Sequence, residues 1–75
     1  MLIENGANIN AKDKYGYTPL MWVSKEGYLN IAKYLIETGA DVNVENKWGN
    51  IALTIASWNN HNEIIDLLKK HGAKE

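Results

Sequence analysis

Apolar side chains at Ile31, Ala32, Tyr34 and Leu35 lie on one stripe of a helix running from about Asn30 to Thr38. Much of this pattern returns 33 residues later, with Ile64 in the place of Ile31 and Leu68 in that of Leu35. The interval runs through the whole chain. Gly6, Gly39 and Gly72 keep it, as do Gly16 and Gly49, Leu2, Leu35 and Leu68, Ala7, Ala40 and Ala73, Asn10 and Asn43, and Leu20 and Leu53. Self-similarity at this spacing signals stacked supersecondary units, none of which can bury its apolar face alone.

Local signals place the elements within each unit. Thr18-Pro19 predicts a helix start, because a hydroxyl can accept from an orphan N–H and proline at the first helical position has no N–H to leave unpaired. The first helix then runs from Pro19 to about Glu26, and Gly27 ends it. Gly39 closes the second. Asn5-Gly6 alone would signal a hairpin, but Thr38-Gly39 and His71-Gly72 occupy the same register after helical stripes, which favours C-terminal capping. The stretch "ADVNVENKWGN" reads as an extended, turn-rich connection. Helix, turn, helix, protruding turn is therefore the module.

The third glycine-terminated phrase departs from this pattern. Ile51 replaces Thr18 and Ala52 replaces Pro19, so the cap is expected to fall back to Asn50 with a less defined helix start. Lys69 and Lys70 replace Ile36 and Glu37, and their charge suits a helix C-terminus facing water. The expected organisation is a single domain: the tail of a preceding unit at 1–12, a complete unit at 13–45 and a C-terminal capping unit at 46–75.

Length and composition narrow the chemistry. Seventy-five residues suffice for one small domain, and since a chain of about 60 residues buries only roughly 60% of its unfolded surface, stability is expected to be marginal. Cysteine is absent, which removes disulfides and thiolate zinc sites and favours a reducing compartment. Eight lysines face nine carboxylates and there is no arginine, a balance that argues against nucleic acid as a partner. The longest uncharged run, Trp48 to Asn62, is broken by Asn, Thr and Ser and falls short of the roughly 20 apolar residues needed to cross a bilayer. Glu4 stands where a leader peptide would carry basic residues. A soluble, cytoplasmic protein without membrane attachment is expected.

The segment "DKYGYTPLMWVSKEGYLNIAKYLIETGADVN" resembles the ankyrin repeat, whose motif runs through D-x-x-G-x-T-P-L-H, a G-H pair, V-x-x-L-L and G-A-x-x-N. A fainter copy covers Asn46 to Ala73, and Leu2 to Lys12 is similar to the tail of another. The family's histidine after T-P-L is Met21 here and Thr54 in the next copy, while its G-H pair is Gly27-Tyr28 and then Asn60-His61. The resemblance implies an all-α ankyrin-type solenoid of helix–turn–helix units acting as a protein-interaction scaffold. It also implies where contacts lie: on the protruding turns and the exposed side of each first helix. In the first full unit these are Lys14, Tyr15, Tyr17, Lys25 and Glu26. In the next they are Lys47, Trp48, Asn50, Trp58 and Asn59.

Four of the seven aromatics fall at these positions, and large rigid rings add contact area at little entropic cost. The bland alternative is that Tyr15 and Trp48 only stack on one another and that Trp58 covers a shallow core. Trp22 is expected in the core, since its counterpart Ile55 is apolar and so is the family's residue there. His61 stands at a turn where the family has a structural histidine, and His71 lies in a last helical turn. The sequence "HNE" at 61–63 shares the H-x-E spacing of zinc deaminases but lacks their cysteines. Ser24 and Ser57 have no nearby His and carboxylate at suggestive spacing, and no glycine-rich phosphate loop is present. No catalytic site, metal site or cofactor is expected. The function expected is non-enzymatic binding of a protein partner, with a self-associating unit or a segment of a longer array as the alternative. An open apolar surface around Leu2, Ile3 and the helices from Pro19 to Thr38 would favour a homodimer through the N-terminal face.

Overall fold

The computed structural model describes residues 9–73. Leu2, Ile3 and the helix end expected at Gly6 lie outside that range. Four helices follow in chain order: α1 Pro19–Glu26, α2 Leu29–Glu37, α3 Ala52–Trp58 and α4 Asn62–Lys70. The 33-residue register holds to the residue at every helix start, Pro19 against Ala52 and Leu29 against Asn62.

In α1, Thr18 is extended and its Oγ1 accepts from the Met21 N–H at 3.3 Å, with Pro19 in the first turn. Gly27, at φ 83°, lets its N–H reach back to the Val23 carbonyl and ends the helix. α3 corrects the expectation of an Asn50 cap. Its N-cap is Ile51, which makes no side-chain hydrogen bond, because Asn50 is held within the preceding turn. There its N–H donates to Asn46 Oδ1 at 3.0 Å and its carbonyl accepts from the Asn46 N–H at 2.9 Å. Register decides where α3 begins. The counterpart of Gly27 is Asn60, at φ 60°, a conformation that asparagine tolerates better than most side chains.

The helices stack in pairs, α1 on α3 and α2 on α4, while α1 and α2, and α3 and α4, pack within their units. Leu20, Met21, Val23, Ala32 and Leu35 of the first unit meet Leu53, Ile55, Ala56, Ile64 and Leu68 of the second in one core. Side chains also tie the units together. Asn10 Oδ1 accepts from the Asp41 N–H at 2.7 Å and its amide donates to the Gly39 carbonyl at 3.4 Å, and 33 residues later Asn43 donates to the Gly72 carbonyl at 3.2 Å. The asparagine after each G-A thus clips one unit to the helix end of the next.

A further expectation is corrected. Trp22 is not in the core: it is 37% exposed, whereas its register counterpart Ile55 is 2% exposed. Of the stripe predicted in α2, only Ala32 and Leu35 are buried, and Ile31 is 42% exposed against 1% for Ile64. Tyr34 is exposed too. The cause is the stack itself. Ile55 and Ile64 lie on the face that receives α1 and α2, and no described helix packs on the corresponding face of Trp22 and Ile31. Among the described residues no helix is long and apolar enough to cross a membrane.

Candidate partner-binding surface

Each helix pair is preceded by a turn that one side chain organises. Asp13 Oδ1 accepts from the backbone N–H groups of Tyr15 and Tyr17, both at 2.9 Å, and the Gly16 N–H closes the turn onto the Asp13 carbonyl at 2.9 Å. Asn46 does the same in the next unit, accepting from Trp48 and Asn50 at 2.9 and 3.0 Å, with Gly49 closing onto its carbonyl. These are Asx turns, in which the side chain imitates a backbone acceptor. The two middle residues of each are thereby pushed outward: Lys14 and Tyr15, Lys47 and Trp48.

Adjacent turns touch through their backbones. The Lys47 N–H donates to the Tyr15 carbonyl at 2.9 Å, and a Cβ on Gly16 would stand 2.7 Å from the Lys47 nitrogen. With the chains this close, Tyr15 and Trp48 lie nearly parallel, their ring centroids 6.1 Å apart at 19°. Lys14 Nζ sits 5.2 Å from the Tyr15 ring centre and Lys47 Nζ 5.9 Å from that of Trp48. Stacking does not hide the rings: Tyr15 is exposed and Trp48 is 60% exposed. Mutual stacking and availability to a partner coexist.

The other predicted contact residues fall into two further groups. Lys25, Glu26, Trp58 and Asn59 are exposed at the far ends of α1 and α3, about 12 Å along the helix axis from the turns. Trp58, at 65% exposure, covers no core, while Asn59 spends its amide on the Ile55 carbonyl at 2.8 Å. Tyr17 and Asn50 are half-buried. Tyr17 packs on Trp22 with ring centres 4.8 Å apart, and Asn50 belongs to the turn ladder, so both support the surface more than they form it.

Trp22 extends this surface, against expectation. Its indole N–H donates to Asp13 Oδ2 at 3.2 Å, Tyr17 lies against it, and Lys25 Nζ sits 5.2 Å from its ring centre. Partial desolvation pushes the Asp13 carboxyl up, but the N–H groups of Tyr17 and Tyr15, then the Trp22 indole and the charge of Lys14, outweigh it and hold the group below its ordinary value. His61 fills the space beside Gly27, its Nε2 3.0 Å from the Lys25 carbonyl. The 33-residue register puts His61 opposite Tyr28, and the signal for this cross-unit contact was the bare glycine next to it. Among the described residues no group of three or more His, Asp or Glu side chains is placed to hold a metal ion.

Comparison with known proteins agrees with this architecture. A family model described as ankyrin repeats, in three copies, matches residues 1–75. Two acyl-CoA-binding domain-containing proteins of Arabidopsis thaliana are similar over one period: protein 2 is 54% identical and protein 1 is 52% identical, each over 33 residues, or 44% of this chain. That stretch is 9% of the length of the first and 10% of the second, so the likeness is to one repeat within much longer proteins. With the period, the paired helices and the whole-length match in agreement, this chain belongs to the ankyrin-repeat family.

Proposed function

We propose that the chain is a non-enzymatic binding module whose protein partner is held by the Tyr15–Trp48 ladder and its lysines, with contact continuing along α1 and α3 to Lys25 and Trp58. Ankyrin repeats are in general protein–protein interaction modules. The observation that carries the reading is the ladder: two parallel aromatic rings locked in place by Asx turns yet open to water. Rigid exposed rings are the usual anchors of protein interfaces. The unit at 46–75 serves as the polar cap of the stack in a cytoplasmic protein, and neither nucleic acid nor membrane is its ligand. The test is partner capture with the Trp48→Ala and Trp58→Ala variants, folding being checked separately. Loss of binding with intact helices supports the assignment, and unchanged binding removes it.

A second reading is favoured by a separate observation, the contrast of Trp22 with Ile55 and of Ile31 with Ile64. A face that repeats the pattern of the stacking surface and on which no described helix packs suits a two-fold dimer, because an isologous contact closes without forming fibres. Sedimentation over a range of concentrations tests it. A sedimentation coefficient and melting temperature that rise with concentration support the dimer, and constancy in both rejects it.

A further inference from the structure

We infer that the segment bound on the turn ladder is acidic, an extended stretch in which two carboxylates flank, at alternate positions on the same face, an aromatic or branched apolar side chain. This rests on the reading of the turns as the binding surface and adds the chemistry of what they take. The apolar side chain lies on the Tyr15–Trp48 rings, and the carboxylates meet Lys14 and Lys47.

Charge at the turns is what points to this partner. Lys14 and Lys47 are exposed and stand over neighbouring rings in the same register. A ring quadrupole orients an ammonium group without neutralising it. Asp13 feels the charge of Lys14, while the contacts of the two ammonium groups given above are with the rings. Asp13, the acid of the first turn, has both oxygens engaged, one by two backbone N–H groups and the other by the Trp22 indole. In the second turn the same position is Asn46, which accepts the same two backbone bonds without a charge. The turn needs an acceptor and not an anion. Glu45 places its carboxylate beside Gly49. Exposed Lys12 adds a further positive charge beside the first turn. At the tips the exposed Lys12, Lys14 and Lys47 outnumber the carboxylates of Asp13 and Glu45 by one, on a chain whose net charge is −1.

Spacing sets the form of the ligand. The Tyr15 and Trp48 ring centres stand 6.1 Å apart, and the ammonium groups of Lys14 and Lys47 lie 5.2 and 5.9 Å from the centres of their rings. In an extended segment every second side chain points to the same face, so an apolar side chain on the rings and the carboxylates on either side of it occupy alternate positions. Stacked rings beside lysines also suit a single-stranded nucleic acid, but the absence of arginine and the net negative charge favour the peptide.

The experiment titrates the intact chain, followed by tryptophan fluorescence, with four probes: a twelve-residue peptide carrying Glu-Ser-Tyr-Ser-Glu at its centre, the same peptide with Gln for Glu, the same with Lys for Glu, and a twelve-nucleotide oligothymidylate. The Glu peptide is expected to bind about tenfold tighter than the Gln peptide, the gain of two exposed ion pairs. The double variant Lys14→Glu/Lys47→Glu is expected to reverse the order and prefer the Lys peptide. Equal binding of Glu and Gln peptides with loss on Trp48→Ala overturns the acidic partner and leaves the protein-binding surface standing. A preference that the charge reversal does not move overturns the assignment to these lysines. Binding of the oligothymidylate above all the peptides overturns both readings, and so does silence of every probe. The three substituted residues are exposed, and far-ultraviolet circular dichroism of each variant verifies that its helices are intact.

Discussion

The indole N–H of Trp22 points at Asp13 Oδ2, 3.2 Å away, although the register places Trp22 where the next unit has a buried isoleucine. A side chain in the register of the stacking core is folded onto its own turn, between Tyr17 and Lys25. Its apolar area is only partly withdrawn from water. Trp22→Ala is accordingly expected to cost about 1–2 kcal/mol, less than the roughly 2–5 kcal/mol of Ile55→Ala at the equivalent buried site. Urea unfolding of both variants checks the order. Equal losses would mean that Trp22 is packed as tightly as its counterpart.

Asp13 makes a prediction about acid. Its folded-state carboxyl is held below the ordinary value of 3.8, so the ionised form stabilises the fold. That contribution is present above the unfolded value and is lost as pH falls through the depressed folded value, placing the window at about pH 4 and below. Asn46 shows that an amide can hold the same turn. Asp13→Asn is therefore expected to keep the fold at pH 7 and to flatten the fall of the urea midpoint between about pH 5 and pH 2. An unchanged acid profile in Asp13→Asn rejects Asp13 as its source.

Trp48 and Trp58 are both more exposed than Trp22. Replacing either with alanine is expected to leave the melting temperature within a few degrees of the parent. If they anchor a partner as proposed, the loss in affinity is about 2 kcal/mol, or roughly thirtyfold, for the more important ring. Calorimetric titration against a captured partner reads this directly. A loss of 3 kcal/mol or more in folding stability would instead mark a structural ring.

The 33-residue period carried most of the fold. It located both helix pairs, and Thr18, Pro19 and Gly27 supplied the physical reasons for where α1 starts and stops. The cap of α3 departs from local propensity, which favours Asn50, because the Asx turn on Asn46 claims that residue's N–H and carbonyl. The exposure of Trp22 has a different cause. Its register is that of buried Ile55, and periodicity tells which face of a helix is apolar but not whether a neighbour covers it. The family resemblance marks the proposed contact positions as turn tips and helix ends. Their separation into a ladder at the turns, a pair of supports and a distant group around Trp58 depends on side-chain geometry that spacing does not encode.

Gly16 and Gly49 allow the ladder to be tested apart from the turns that carry it. Both have a left-handed φ, 79° and 78°, so an alanine at either meets the same backbone strain of about 1–2 kcal/mol. The space around them differs. A Cβ on Gly49 meets only Glu45 Oε1 at 3.9 Å, an ordinary contact, whereas one on Gly16 falls 2.7 Å from the Lys47 backbone nitrogen. Backbone cannot give way as a side chain tip can. Gly16→Ala is thus expected to push the two turns apart, lengthen or break the Lys47 N–H bond to the Tyr15 carbonyl and separate the Tyr15 and Trp48 rings. Relative to Gly49→Ala, it is expected to lose about a further 1–2 kcal/mol, a backbone hydrogen bond with its packing, and to shift the tryptophan emission. Urea unfolding and fluorescence of the two variants measure both. If Gly16→Ala and Gly49→Ala prove equal in stability and emission, the close backbone contact does not set the ladder, and the rings owe their alignment to the Asx turns alone.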